Sequence, residues 1–547
     1  MKISKIGVLI LILAVGLVPC ALAQTKAEAP ATHPAVPYPT AATPKAIDRG
    51  ALSAQPGAAP MSVTIALSLR NHDEAESMVQ AVSTPGNPQY HHFLTSDEFV
   101  ARFGPTNAEV TKVMTALAKY GLTAQRTTAT TLKVTGMPAN MERAFGVSLH
   151  SYEVAAHDNA PGYTYHAPLS RPTIPTEIAG SVSAVVGLDS RPSFHPLTRS
   201  VLSSPRLAKT GATPAGTGNP PQYFTVTDFA NQYDVNPLYA RGITGKGRTL
   251  AIVTLAAFTP SDAFTYWAAL GLTVDPNRLT IVNVDGGPGA PSDDSGSVET
   301  TLDVEQSGGI APGADIIVYQ APNTNQAFID AFAAAIDSNA PQSVSTSWGT
   351  WEWFDNLENA PVTDPITGKT VSSLQALHEL LLRAAIQGQS FFAASGDGGA
   401  FDITNDLGCL PPVCSITLSV DNPASDTAIT AAGGTTLPVT LYFCANAECT
   451  PPYFEVQVNN ERVWGWDYFN GLCAYLGYTP LNCGFFPGGS GGGVSIEFPV
   501  PLYQWFLPGV QLSQPGQVWQ AEPIIGEVFG VGTYYALPAF YPGRNVP

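Results

Sequence analysis

The stretch at residues 297–323, SVETTLDVEQSGGIAPGADIIVYQAPN, decides how the chain is read. It sets Glu299 and Asp303 four residues apart near the head of a helix, a spacing that places both carboxylates on one face. The glycines and proline of GGIAPGA predict a helix stop, and DIIVYQAP predicts a short apolar strand, so the stretch is a helix-to-strand step of an α/β core. An acidic pair on a first helical turn is ordinarily a solvated face favoured by the helix dipole, so further signals are needed before the pair implies chemistry.

Those signals lie downstream. A buried strand is predicted at 249–255, and helical patterns at 327–338 and 372–387 each lead into an apolar strand, at 343–347 and 390–394. The alternation implies a largely parallel sheet covered by helices on both faces, and sites on such sheets gather at strand C-terminal ends. SVSTSWG puts Ser347 and Trp348 at one such end, and SFFAASGDGGA puts Asp397 at another. Of nine histidines only His378 lies beyond residue 195, inside a helical pattern, which argues against a Ser-His-Asp hydrolase. A serine nucleophile here needs a carboxylate base, and Glu299 held by Asp303 fills that role, while Glu305 faces away from Asp303. The run GGSGG at 488–492 matches a G-x-S-x-G elbow but lacks the preceding strand, the following helix and a downstream histidine.

The blocks ETTLDVEQSGGIAPGA, SVSTSWG and FFAASGDGGA, in that order, resemble the sedolisin family, the serine-carboxyl peptidases that include the kumamolisins. The resemblance implies an α/β fold with a subtilisin-like, mostly parallel sheet. It also implies Asp397 as the residue that donates a hydrogen bond to the oxyanion, which requires a protonated carboxyl and so a raised pKa or an acidic medium. It sets Gly491, Gly492 and Gly493 of GGSGGGVSIEFPVPLYQ near the substrate cleft, where missing side chains let a peptide backbone approach. Trp348 either lines that cleft or is a buried core tryptophan. PQYHHFLTSDEFVARFGPT and MERAFGVSLHSYE resemble the family's α+β activation prodomain, which makes His91 and His92 part of that fold rather than metal ligands. A complete sedolisin continues past a segment like PGRNVP into a GTS-x-x-x-P block with the nucleophile and then a calcium loop. No such GTS block occurs in this sequence, so the nucleophile and the ligands of the expected calcium are absent from it, as in a truncated or split reading frame.

Composition divides the 547 residues. Residues 1–23 carry two lysines, an apolar run and an Ala-Leu-Ala end, a secretory signal peptide. Residues 24–60 read as a disordered leader, 61–195 as the prodomain, 196–222 as a linker holding the activation cleavage, and 223–547 as the peptidase domain. Six cysteines beyond Cys20 favour disulfides over metal, with Cys409–Cys414, Cys444–Cys449 and Cys473–Cys483 a pairing by proximity alone. Residues 1–223 hold 17 Lys+Arg against 13 Asp+Glu, and residues 224–547 hold 8 against 30, net +4 and −22. So acidic a second part argues against nucleic acid, and a basic propiece on an acidic body is electrostatically complementary. The expectation is a secreted, acid-acting endopeptidase precursor with peptide substrates, no membrane partner after signal removal, and its own prodomain as inhibitor and chaperone. The alternative is a non-catalytic, secreted peptide-binding remnant of that family.

Overall fold

A computed structural model of the protein describes residues 46–156, 162–197, 207–210, 224–292, 295–352, 362–363, 370–402, 420–444, 450–479, 485, 488–495 and 497–504. The chain begins with strand β1 (Ala46–Ala51), then β2 (Met61–Leu67), helices α1 (His72–Ser83), α2 (Ser96–Arg102) and α3 (Asn107–Ala118), and strands β3 (Thr123–Arg126) and β4 (Thr131–Gly136). Helix α4 (Pro138–Phe145) and strands β5 (Leu149–Val154), β6 (Tyr163–Pro168), β7 (Val182–Val186) and β8 (His195–Pro196) follow. α2 and α3 both start on capping boxes, Thr95 with Glu98 and Thr106 with Glu109, which satisfy amide donors that the first helical turn leaves open.

β3, β4, β2 and β7 form an antiparallel sheet in that order. Alternation along β2 sends Val63, Ile65 and Leu67 into the prodomain's own core. Thr64 and Ala66 point the other way, and Ala66, Ala184, Val186 and Phe194 belong to the same hydrophobic cluster as the body of the protein. Thr64 Oγ1 donates to Asp330 Oδ2 at 2.7 Å, Arg383 Nη2 donates to Ser96 Oγ at 2.8 Å, and Lys133 pairs with Asp285.

Strand β9 (Leu207–Thr210) precedes α5 (Val226–Gln232), α6 (Asn236–Ala240), β10 (Thr249–Thr254), α7 (Pro260–Ala269), β11 (Leu279–Asn283), α8 (Ser295–Ile310), β12 (Asp315–Gln320), α9 (Asn325–Ser338), β13 (Ser343–Thr346) and β14 (Trp348–Trp351). A six-stranded sheet runs β11-β12-β10-β13, then Ser390–Ala394, then Thr430–Ala432, and every pairing in it is parallel. Ile252, Ile316 and Val318 face α7 and α8 through Trp267 and Val304. Ala251, Val253, Val344 and Phe391 face α9 and the Ser373–Gln387 helix. The mostly parallel sheet covered on both faces is therefore present. Among the described residues no helix is long and apolar enough to cross a membrane.

Three local expectations are corrected. The helix that Gly308 and Gly309 were expected to stop runs on to Ile310, because both glycines serve packing: a Cβ on Gly308 would lie 2.4 Å from the Trp267 ring and one on Gly309 2.8 Å from Val226. Part of the expected disordered leader is strand β1, paired antiparallel with β5. Within the expected linker, β9 pairs with Val439–Cys444. Cys444 and Cys473 are each disulfide-bonded, whereas Cys409, Cys414, Cys449 and Cys483 lie outside the described residues.

Candidate active site

α8 carries the acidic pair. Glu299 is 3 % exposed, so it is not the solvated carboxylate that an acidic helix head ordinarily displays. Its neighbour Thr300 anchors the helix: Thr300 Oγ1 lies 2.7 Å from Thr254 Oγ1 at the end of β10, and Thr254 Oγ1 accepts the indole N–H of Trp348 at 2.9 Å. Trp348 is 4 % exposed, and a Cβ on Gly296 would sit 3.0 Å from its ring. The indole lies under the start of α8, and the tail residue Pro196 pairs with Trp348.

Asp303, one turn after Glu299, accepts a hydrogen bond from Ser347 Oγ at 2.8 Å. Ser347 follows β13 directly, so the strand end and the helix face predicted separately meet at this contact. Burial pushes the Asp303 carboxyl up to about 7, partly offset by the Ser347 bond that favours the ionised form. A carboxyl held above its ordinary value stabilises the fold below that value, near 4, and the contribution is lost as pH rises through 7. Asp303→Asn should therefore flatten the decline in melting temperature between pH 4 and 7, and Ser347→Ala should move it to higher pH. Superimposable profiles for wild type and Asp303→Asn would refute this assignment. Glu305 looks elsewhere, lining a cavity of about 680 Å³ with Asp262, Val298 and Leu302, and burial followed by the Asp262 charge raises it to about 7.

The strand Ser390–Ala394 is hydrogen-bonded beside β13, so the residues after both strands leave the sheet at one end. Asp397 stands there, 9 % exposed. The Gly-rich block is laid along its turn: Gly489 N–H donates to Asp397 O at 3.0 Å and Gly491 N–H to Gly396 O at 2.9 Å. A Cβ on Gly491 would fall 1.6 Å from the Ser395 carbonyl, so its missing side chain admits the chain's own backbone. Gly492 and Gly493 follow, half-buried. Ser490 Oγ accepts from Gly434 N–H at 2.7 Å and donates to Gly434 O at 2.9 Å, a structural lock rather than a nucleophile's setting.

Sequence reasoning missed two features. The prodomain tail reaches this edge: β8 pairs antiparallel with β14, Trp348 opposite Pro196 and Gly349 opposite His195, and Leu197 N–H donates to Ser347 O at 2.8 Å. His195 thereby joins buried Asp402 and Asp421, whose donor atoms all lie within 4.8 Å of one another. Calcium takes an all-oxygen shell. Among the described residues the three-donor clusters, this one and His72 with Glu76 and His378, both contain imidazole and do not fit it.

Together these features define an α/β protein of zymogen organisation, a parallel sheet with a carboxyl pair at its strand ends and an N-terminal segment laid across them. Residues 50–191 match the family described as Pro-kumamolisin, activation domain. Kumamolisin of Bacillus sp. (strain MN-32) is 28% identical over 468 residues, covering 84% of this chain and 71% of that one. Sedolisin of Pseudomonas sp. (strain 101) is 30% identical over 458 residues, covering 82% and 67%. Tripeptidyl-peptidase 1 of Rattus norvegicus is 25% identical, covering 81% and 67%. A solved Pseudomonas sedolisin, complexed with two molecules of pseudo-iodotyrostatin, aligns with a TM-score of 0.34 at 24% identity, covering 54% of this chain and 71% of that one. The chain belongs to the sedolisin family.

Proposed function

We propose that the protein is the secreted precursor of a serine-carboxyl endopeptidase that hydrolyses peptide bonds at acidic pH. In this reading Glu299 takes the proton of a serine nucleophile, Asp303 holds Glu299's charge in place, and protonated Asp397 donates to the oxyanion of the tetrahedral intermediate. The observation that carries it is the Asp303–Ser347 contact at 2.8 Å, which fixes the acidic helix against the end of a central strand. Deprotonation of a serine by a carboxylate is uphill in water, so a buried base with a second acid behind it is what the chemistry demands.

The tail at 194–197 supports a self-inhibited precursor. It runs antiparallel to β14 as an added strand, the way an extended peptide docks on a sheet edge, and its last residue, Leu197, lies beside Ser347. Phe194 anchors it, its ring 4.2 Å from that of Phe328. Cleavage between residues 197 and 223, a polar stretch rich in turn residues, cuts the tether that holds this strand to the body of the chain. N-terminal sequencing of secreted material after acid exposure should find the new terminus there. A mature terminus before Gly187, inside the prodomain sheet region, would reject the boundary. Failure of the chain, supplied with a family serine segment, to cleave an unfolded protein substrate at any acidic pH would reject the peptidase reading itself.

A further inference from the structure

A second constellation lies away from the acidic helix, where α1 packs on the Ser373–Gln387 helix. His72 and Glu76 are one turn apart on α1 and so share a face. His378 meets them, and one donor atom from each residue lies within 4.8 Å of the other two. His378 Nε2 is 2.7 Å from Glu76 Oε1, and its Nδ1 is 2.9 Å from Asp426 Oδ2. His72 Nε2 is buried without a hydrogen-bond partner, and the two imidazole rings are 6.2 Å apart.

We propose that His72, Glu76 and His378 bind a divalent cation of the zinc class that clamps the prodomain to the body of the protein. Two imidazoles and one carboxylate form the donor set of a borderline metal such as zinc, with the fourth tetrahedral position left to water, whereas calcium and magnesium select oxygen. Metal–ligand bonds of about 2.0–2.2 Å put tetrahedral ligands roughly 3.3 Å apart, so the donors reach that arrangement by small side-chain rotations. The outer shell is in place. Asp426, 2 % exposed, accepts from Nδ1–H of His378 and so turns the Nε2 lone pair toward Glu76, as carboxylates behind metal-bound histidines do. Asp426 is itself held by the Ala428 amide at 2.7 Å. Asp73 stands 3.9 Å from Nδ1 of His72, on the side away from the unpartnered Nε2. The Phe498 ring, 5.3 Å from that of His378, closes one flank. The charges also close, since Glu76 and Asp426 together balance a dication beside two neutral imidazoles. A proton in the metal's place makes His378 an imidazolium between two carboxylates and leaves His72 with no task.

The test is titration of the metal-free, full-length chain with Zn²⁺ at neutral pH, where binding should release a proton as His378 becomes a ligand. One zinc per chain is expected, bound at least tenfold more weakly in His72→Ala and in Glu76→Gln, each checked for native circular dichroism. Co²⁺ in the same site should give the intense visible absorption of a tetrahedral complex, absent from His72→Ala. His195→Ala, at the other mixed cluster, should leave zinc affinity unchanged. Absence of zinc binding, equal affinity in wild type and His72→Ala, or loss of the site in His195→Ala alone would each overturn the proposal, the first leaving His378 as the imidazolium.

Discussion

Residues 1–547 produced alone are expected to leave peptide substrates intact at every pH, and the same chain joined to a family GTS-x-x-x-P segment is expected to cleave them in acid. Glu299 and Asp303, the proposed base and its partner, lie on α8, but the sequence carries no serine block of that pattern, and a general base without its nucleophile forms no acyl-enzyme. In the supplemented protein, Glu299→Ala should lower kcat/KM by about 10⁴- to 10⁶-fold, the usual cost of removing one member of a nucleophilic triad. Asp303→Ala should cost a comparable factor, and the double variant little more than either single one, because the two act as a unit. The measurement is hydrolysis of a fluorogenic peptide library at pH 3–5. Strong hydrolysis by residues 1–547 alone that survives Glu299→Ala would place the nucleophile and the chemistry elsewhere.

Trp267→Ala is expected to be the most damaging single truncation in the core, costing about 3–5 kcal/mol of stability. Trp267 is fully buried. Its indole N–H donates to Glu305 O at 2.9 Å, the Arg278 guanidinium lies 4.8 Å from its ring, Phe264 meets it edge-on at 5.3 Å, and Gly308 is glycine because the ring fills that space. The residue thus rivets α7 to the helix that carries Glu299 and Asp303, so the variant should loosen the acidic pair as well as the fold. Urea unfolding would show the midpoint fall, with Val298→Ala, 56 % exposed on the outer face of α8, within about 0.5 kcal/mol of wild type. Equal midpoints for the two variants would show that the α7–α8 contact contributes little.

Much of the parallel sheet could be read from the chain because its strands are short, alternate with helical patterns and are bounded by turn formers: Ser390–Ala394 appears where the pattern put it, and Ser343–Thr346 ends one residue early. The acidic pair was visible for the same local reason, a spacing of four on one helix. What escaped was set by contacts between distant residues. Gly308 and Gly309 look like helix stops until Trp267 and Val226 are seen against them. β1 and β9 sit in Ala-, Pro- and Thr-rich stretches whose composition conceals the pairing partners, residues 149–154 and 439–444. The Ser347–Asp303 bond spans 44 residues and the His378–Glu76 bond 302, so no local window holds both partners.

The shared core has a consequence for the order of events in activation. Ala66, Ala184, Val186 and Phe194 are cemented into the same cluster as α9 and the Ser373–Gln387 helix, so a cut after residue 197 breaks a covalent link without removing any of that contact. Before the cut the prodomain is a tethered ligand held at an effective concentration on the order of millimolar, and after it the same ligand is bimolecular. Dilution then becomes the step that empties the edge of β14, and the fraction released falls as the local concentration of the cut chain rises.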